Sequence, residues 1–265
     1  MSYNNQYIRP SQEISLKDDI YLYWASGSIP CWRVQIALSE KQIINYKHQM
    51  ISLDQNEHKM KPIIDENPRG QIPSLKIGNI ILNESLTICL YLEDLIKNQG
   101  TKFLPDDLYL RAQVLQCTFD SLRLQKFGSE NVIYYIWHTP SERHNIDLLN
   151  KRKGVLVDEL IRWNNRFKQQ NQENLYAVGN QFTLADIFLL PQLAFLVHCG
   201  YPIQLHQQLG NKKKIRQNLN KKLFRNSYYK HLRDRPSVHR SFPPHWLTNT
   251  SNILADCSNL ILKQL

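Results

Sequence analysis

The sequence predicts a small α/β layer followed by an all-helical domain, an α/β plus all-α class. Three observations carry this. Residues 19–99 alternate between strand-like and helix-like patterning in the order β-α-β-α-β-β-α. Past "GTKFLPDD" (100–107), a plausible linker, the strand signals stop and only helical periodicity continues. The chain has 265 residues, 42% hydrophobic and 10% aromatic, enough for a real core.

The elements follow in order. Residues 1–18 read as a flexible polar extension; without an apolar h-region, no signal peptide is expected. Residues 19–25 read as a strand. Residues 30–42 read as a helix with Val34, Ala37 and Leu38 on one face. "NYKHQMIS" (45–52) is a second strand, and "EHKMKPIIDENP" (57–68) a short helix or turn ended by proline. "IPSLKIGNIIL" (72–82) reads as two short strands around Gly78-Asn79, a hairpin turn. In 84–99, Ile88, Leu92 and Leu95 share one helical stripe. Helices are expected at 108–137, 143–168, 183–198 and 219–233. No internal repeat is visible, and no apolar run is long enough to span a membrane.

Charge and cysteines narrow the function classes. Residues 211–240 hold six Lys and five Arg against one Asp, which accounts for the whole formal charge of +10. Such a segment attracts nucleic acid or an anionic surface, or is a solvated insertion. The lack of a recognisable nucleic-acid module favours the insertion. Five scattered cysteines, an odd number, argue against a disulfide framework and for a reducing, cytoplasmic setting.

The chemistry concentrates in four short motifs. In "SGSIPCWR" (26–33) a strand turns into a helix at Ser28, Pro30 and Cys31. Proline suits the first helical turn, and Ser28 suits the cap. The same helix end favours an anion such as a thiolate. A free thiol is only about 3% ionised at pH 7. A hydroxyl donor plus the helix dipole can lower its pKa by about two units, roughly 2.7 kcal/mol. Cys31 is the competing reactive group, but Ser28 stands where a C-x-P-C motif would have its nucleophilic cysteine, so a dithiol mechanism is unavailable.

"NPRGQIPS" (67–74) places Ile-Pro before a strand, a setting for a cis peptide bond. There the Ile72 backbone can pair with an extended peptide. "NESL" (83–86) opens a helix. Glu84 and Ser85 are either a cap with a dipole-favoured acid or a clamp, with Ser85 taking a carboxylate and Glu84 an ammonium. "FTLADI" (182–187) is a structural capping box, Thr183 to Asp186.

Taken together, these ordered motifs resemble the cytosolic glutathione transferases over roughly residues 19–247. Within that family, "SGSIPCWRVQIALSEK", "NPRGQIPS", "LNES", "VIYYIW", "FTLAD" and "DRPSV…FPPHWL" are most similar to the rho class of aquatic animals. The resemblance implies a thioredoxin-like, glutathione-binding domain over 19–99, a linker at 100–107 and a helical domain over 108–265, with a basic insertion near 207–226. It implies conjugation of reduced glutathione to electrophilic, mostly apolar substrates, a homodimer, and no metal.

Serine-type members use the S-x-P-C serine to activate the thiol, which maps to Ser28; Ser26 is a nearby hydroxyl without that spacing. Glutathione contacts map to Ile72, Glu84 and Ser85, and the His-Lys pair of theta-like members to His58 and Lys59. Gln71 stands where those members carry a lysine. An apolar-substrate pocket would draw on the helix 108–137, where Phe119, Leu122, Tyr134 and Trp137 equally suit a core. Two other readings remain open: a non-catalytic ligand-binding or docking protein on the same fold, and a thiol reductase using Cys31.

Overall fold

A computed structural model describes residues 20–169, 175–201, 226–248 and 251–257. The expected N-terminal extension and residues 207–225 of the basic insertion lie outside them. The chain divides into two compact units between Asn98 and Gln99. The first is thioredoxin-like: a four-stranded sheet with helices. The second is helical.

In the first unit, β1 (Ile20–Trp24), α1 (Ile29–Glu40) and β2 (Lys47–Met50) form a parallel crossover. A 3₁₀ turn (Glu57–Lys59) and α2 (Ile63–Glu66) lead to the hairpin β3 (Ser74–Ile77) and β4 (Ile80–Asn83). Helix α3 (Ser85–Leu95) closes the unit. The sheet order is β2-β1-β3-β4, with β3 antiparallel to both its neighbours. The expected two-residue turn is present. Gly78 takes φ +57° at its first central position, where a Gly-X hairpin needs a residue without a Cβ.

Helix α1 buries the expected Val34, Ala37 and Leu38, and also Arg33, which is only 1% exposed. On α3, Ile88 and Leu92 are buried, but Cys89 and Glu93 complete the buried face, while Leu95 is half-exposed. Glu93 goes inward because it has a partner. Lys41, just past α1, meets it at 2.7 Å and also donates to the Ile96 carbonyl at 3.1 Å. A buried charge is tolerable when paired and hydrogen-bonded in this way.

The helical unit begins with α4 (Leu108–Gln125), whose N-cap Asp107 accepts from the Leu110 N–H at 2.8 Å. The helix continues through a π-helical run, Lys126–Tyr134, into α5 (Tyr135–His138). The run packs tightly: a Cβ on Gly128 would lie 2.8 Å from a Leu196 methyl. Beside it, Ser129 and Gln192 form a buried hydrogen-bonded pair at 3.0 Å.

Helix α6 (Ile146–Gln169) is followed by α7 (Leu184–His198). Residues 184–196 of α7 are buried without exception, which suits a helix that is apolar on all sides. Two short helices, α8 (Asn226–Arg233) and α9 (Pro236–Ser241), come after it. Of the four positions equally suited to a core, Phe119 and Trp137 are exposed, at 58% and 47%. Trp137 and Tyr134 both pack against the buried Phe195 ring.

The capping box at Thr183 is present and extends further than the local pattern implies. Asp186 is fully buried and accepts from the Thr183 N–H (2.9 Å), the Thr183 hydroxyl (3.1 Å), the Ala177 N–H (2.8 Å) and the Tyr228 hydroxyl (3.1 Å). One carboxylate thus ties α7 to the preceding loop and to α8. Removing it leaves several buried donors unsatisfied, each costing about 1–3 kcal/mol. Asp186→Ala is expected to lose about 3–5 kcal/mol of unfolding free energy, read from the urea midpoint at constant m-value.

Burial outweighs those four donors and raises the Asp186 carboxyl from 3.8 to about 6. The folded state therefore binds this proton more tightly than the unfolded state. Its contribution is fully present below pH 4 and is lost as pH rises through about 6. The Asp186→Asn variant is expected to lack this component of the pH–stability profile; an unchanged slope between pH 4 and 6 rejects the assignment.

Candidate functional site

Strand register gathers the first three motifs at one end of the sheet. Ser74 lies opposite Tyr23 of β1 and opposite Asn83 of β4. The C-terminal end of β1, the N-terminal end of β3 and the C-terminal end of β4 therefore coincide. Ser28 follows β1 by four residues, Ile72 precedes β3 by two, and Glu84 and Ser85 follow β4 directly. Helices α1 and α3 both start here, and neither carries an acidic residue in its first turn. The N-terminus of α1 has no counter-charge of its own and so favours an anion, whereas Glu84 stands at the N-cap of α3.

Ser28 is the N-cap of α1 by backbone conformation (φ −72°, ψ 114°), and its carbonyl accepts from the Trp32 N–H at 2.9 Å. Its side chain, however, makes no capping hydrogen bond. That corrects the expectation that the Ser28 oxygen serves the free N–H groups. The hydroxyl is half-buried and lies near enough to the Cys31 thiol to pull its pKa down.

The Ile72-Pro73 peptide is cis. The backbone N–H and carbonyl of Ile72 take no partner among the described residues, whereas its side chain packs on Tyr23, Ile51 and Ile63. Glu84 is exposed, with φ +70° and ψ 116°, a region non-glycine residues seldom occupy. Its carbonyl starts α3 by accepting from the Ile88 N–H at 3.0 Å. Ser85, the first residue of α3, is 6% exposed, and its hydroxyl takes no protein partner among the described residues.

His58 and Lys59 lie on the 3₁₀ turn beside the loop 67–71. Burial, and then the neighbouring Lys59 charge, lower the His58 pKa, so its imidazole is neutral at pH 7; its Nδ1 is buried without a partner. Lys59 donates to the Arg69 carbonyl at 2.9 Å, and its side chain lies across Gly70. Gln71 is exposed, and its carbonyl accepts from the Asn67 amide at 2.8 Å. Asn67 is a residue the motif reading missed. Its side chain also accepts from the Arg69 N–H at 3.2 Å, so it shapes the turn that delivers Ile72. The Asn-Pro step was the available signal, since Asn side chains bond their own backbone in turns.

Comparison with known proteins places this arrangement. The family model described as glutathione S-transferase, N-terminal domain, matches residues 22–99. Over 230 residues the chain is 36% identical to glutathione S-transferase A of Pleuronectes platessa, covering 86% of this chain and 93% of that one. The chain belongs to the glutathione S-transferase family. A solved glutathione S-transferase from the Antarctic clam Laternula elliptica superposes with a TM-score of 0.71 at 33% identity, over 90% of this chain and 99% of that one. More distantly, a Caenorhabditis elegans protein described as a probable maleylacetoacetate isomerase is 28% identical over 66% of this chain and 77% of its own.

In this glutathione transferase the competing thiol is poorly placed. Cys31 has no solvent exposure, and burial pushes its thiol up to about 11 against the downward pull of the Ser28 hydrogen bond. It is protonated at neutral pH and enclosed, unlike a reductase nucleophile. All five cysteines are buried and free, and burial raises the other four to about 12. The native protein is expected to react negligibly with Ellman's reagent at pH 7.5 over minutes, and to release five equivalents of chromophore in denaturant. One fast equivalent in the native state, abolished by Cys31→Ser, would restore the reductase reading.

Gly70 supplies a second test. It sits at φ +55°, and an added Cβ would come within 2.9 Å of the His58 carbonyl. Gly70→Ala is expected to lower unfolding free energy by about 1–3 kcal/mol through backbone strain and displacement of the loop.

Proposed function

We propose that the protein conjugates reduced glutathione to electrophilic, mostly apolar substrates. The observation that carries this reading is the convergence of Ser28, Ile72, Glu84, Ser85 and two helix N-termini at one sheet end. Ser28 donates its hydroxyl hydrogen to the glutathione sulfur and keeps it ionised; the thiolate then attacks an electrophilic carbon, and the leaving group departs. Cys31 supports this role: burial keeps its thiol protonated, so it places no competing anion beside the incoming sulfur.

Ile72 pairs its backbone with the tripeptide as an added strand would. Ser85 takes a carboxylate at the α3 N-terminus, and Glu84, exposed beside it, takes the ammonium. His58, Lys59 and Gln71 hold the remaining end of the tripeptide; Lys59 acts in part through the loop it braces. Positioning and thiolate activation together supply the rate. The rho-class reading rests on the sequence segments it shares and is of the same kind: a proposal. So are the homodimer, the cytoplasmic location and the division into a glutathione-binding domain over 19–99 and a helical domain over 108–265. Among the described residues, no helix is long and apolar enough to cross a membrane.

Ser28→Ala is expected to raise the apparent pKa of bound glutathione by about one to two units and to lower kcat/KM at pH 6.5 roughly 10- to 100-fold. The readout is the pH profile of conjugation to a chlorinated dinitrobenzene. An unchanged profile rejects Ser28 as the activating group. Glutathione binding without turnover in the native protein favours a carrier instead. A second reading, isomerisation, is favoured by the Caenorhabditis elegans relative. Mass spectrometry separates the two, because an isomerised product keeps the substrate mass whereas a conjugate gains the tripeptide.

A further inference from the structure

Three buried oxygens on one face of the sheet take no hydrogen-bond partner among the described residues: Glu66 Oε2 at the end of α2, Ser74 Oγ on β3 and Asn83 Oδ1 on β4. Register brings the last two together, because Ser74 and Asn83 are direct cross-strand partners whose side chains share a face. Glu66 is joined to both strands. Its carbonyl accepts from the Asn83 amide at 3.5 Å, and its other carboxylate oxygen, Oε1, meets Lys76 at 3.5 Å. Lys76 stands two residues after Ser74 on β3 and so lies on the same face. Burial, and then the Glu66 charge, raise the hydroxyl pKa of Tyr23, which stands opposite Ser74 on β1.

These three oxygens cannot satisfy one another. Glu66 Oε2 and Asn83 Oδ1 are acceptors, and the Ser74 hydroxyl has one hydrogen, so one acceptor stays without a donor however the hydroxyl turns. Turning the Asn83 amide over sets its oxygen against the Glu66 carbonyl and loses the bond between them. Buried polar groups are normally satisfied, so the cluster calls for a guest that brings two donors and one acceptor.

We propose that one internal water molecule binds here, donating to Glu66 Oε2 and Asn83 Oδ1 and accepting from the Ser74 hydroxyl. Internal waters make about three such bonds to polar groups that the chain leaves unpaired. A cation fits less well, because Lys76 already offsets the Glu66 charge and the Ser74 hydroxyl would lose its acceptor. The water ties the end of α2, which leads into the loop carrying Ile72, to Asn83, which directly precedes Glu84 and Ser85. It sets the spacing between the two halves of the glutathione site, and Ser74 is a positioning residue that acts through it. That role rests on the reading of Ile72, Glu84 and Ser85 as glutathione contacts; the water site does not.

The experiment uses the full-length chain. A high-resolution crystal structure is expected to show an ordered water within about 3.2 Å of all three oxygens. Glutathione binding is measured by calorimetry, which needs no turnover. Ser74→Ala removes the donor to the water and is expected to weaken glutathione binding about five- to tenfold. Its KM for glutathione is expected to rise alike, with kcat at saturating glutathione within about twofold of native. Ser74→Thr keeps the hydroxyl and is expected to bind glutathione within about twofold of native.

Electron density with no water between the three oxygens overturns the site. So does a peak with six or more oxygens at about 2.3–2.6 Å, which is a calcium-like cation. A water that is present while Ser74→Ala binds glutathione as tightly as the native chain overturns the positioning role. A loss in Ser74→Ala that Ser74→Thr shares in full assigns the effect to packing and overturns that role too. If the native chain binds no glutathione, the glutathione reading fails and the positioning role falls with it, while the water site is still decided by the density.

Discussion

Ser74 lies between Tyr23 on one side and Asn83 on the other, and the chemistry of the first unit depends on that alignment. Motifs at 26–33, 67–74 and 83–86 are distant in sequence. They meet only because three strand ends coincide at this position. A slip of one residue in either pairing moves a strand end by about 3.3 Å and sends its side chains to the opposite face. Buried Leu22, Leu75 and Ile77 resist such a slip, since each would exchange its place in the core for solvent.

Electrostatics at that sheet end follow from secondary structure more than from charged side chains. Helices α1 and α3 present their N-termini without acidic residues in the first turn. The free N–H groups and partial positive charge remain available to a guest. Ser28 illustrates how the same geometry serves two ends. Its backbone caps the helix, while its hydroxyl makes no capping bond and has the buried, protonated Cys31 as its neighbour. Glu84 pays with a seldom-occupied backbone conformation for the chain reversal that puts Ser85 at the start of α3.

The helical unit is organised around a different constraint. Helix α7 is buried over 184–196, and its first turn is anchored by the four donors that converge on Asp186. Where α4 meets α6, the Asp120–Arg166 ion pair joins the two helices.

Much of the architecture was legible in the sequence. Alternation, helical periodicity, Gly78-Asn79 and the Thr183–Asp186 box are all decided by contacts within a few residues, so their signals survive in one dimension. The order of the motifs carried the family resemblance for the same reason. What the sequence could not determine is where each local element finds its long-range partners. Lys41 and Glu93 go inside although their types favour water, because they pair with each other across α1 and α3. Phe119 and Trp137 stay outside although their types favour a core. The Ser28 hydroxyl makes no bond to the helix end that its backbone caps, and the Tyr228 hydroxyl reaches Asp186 across 42 residues. Burial and non-local hydrogen bonding depend on which surfaces meet, and only the folded chain brings those surfaces together.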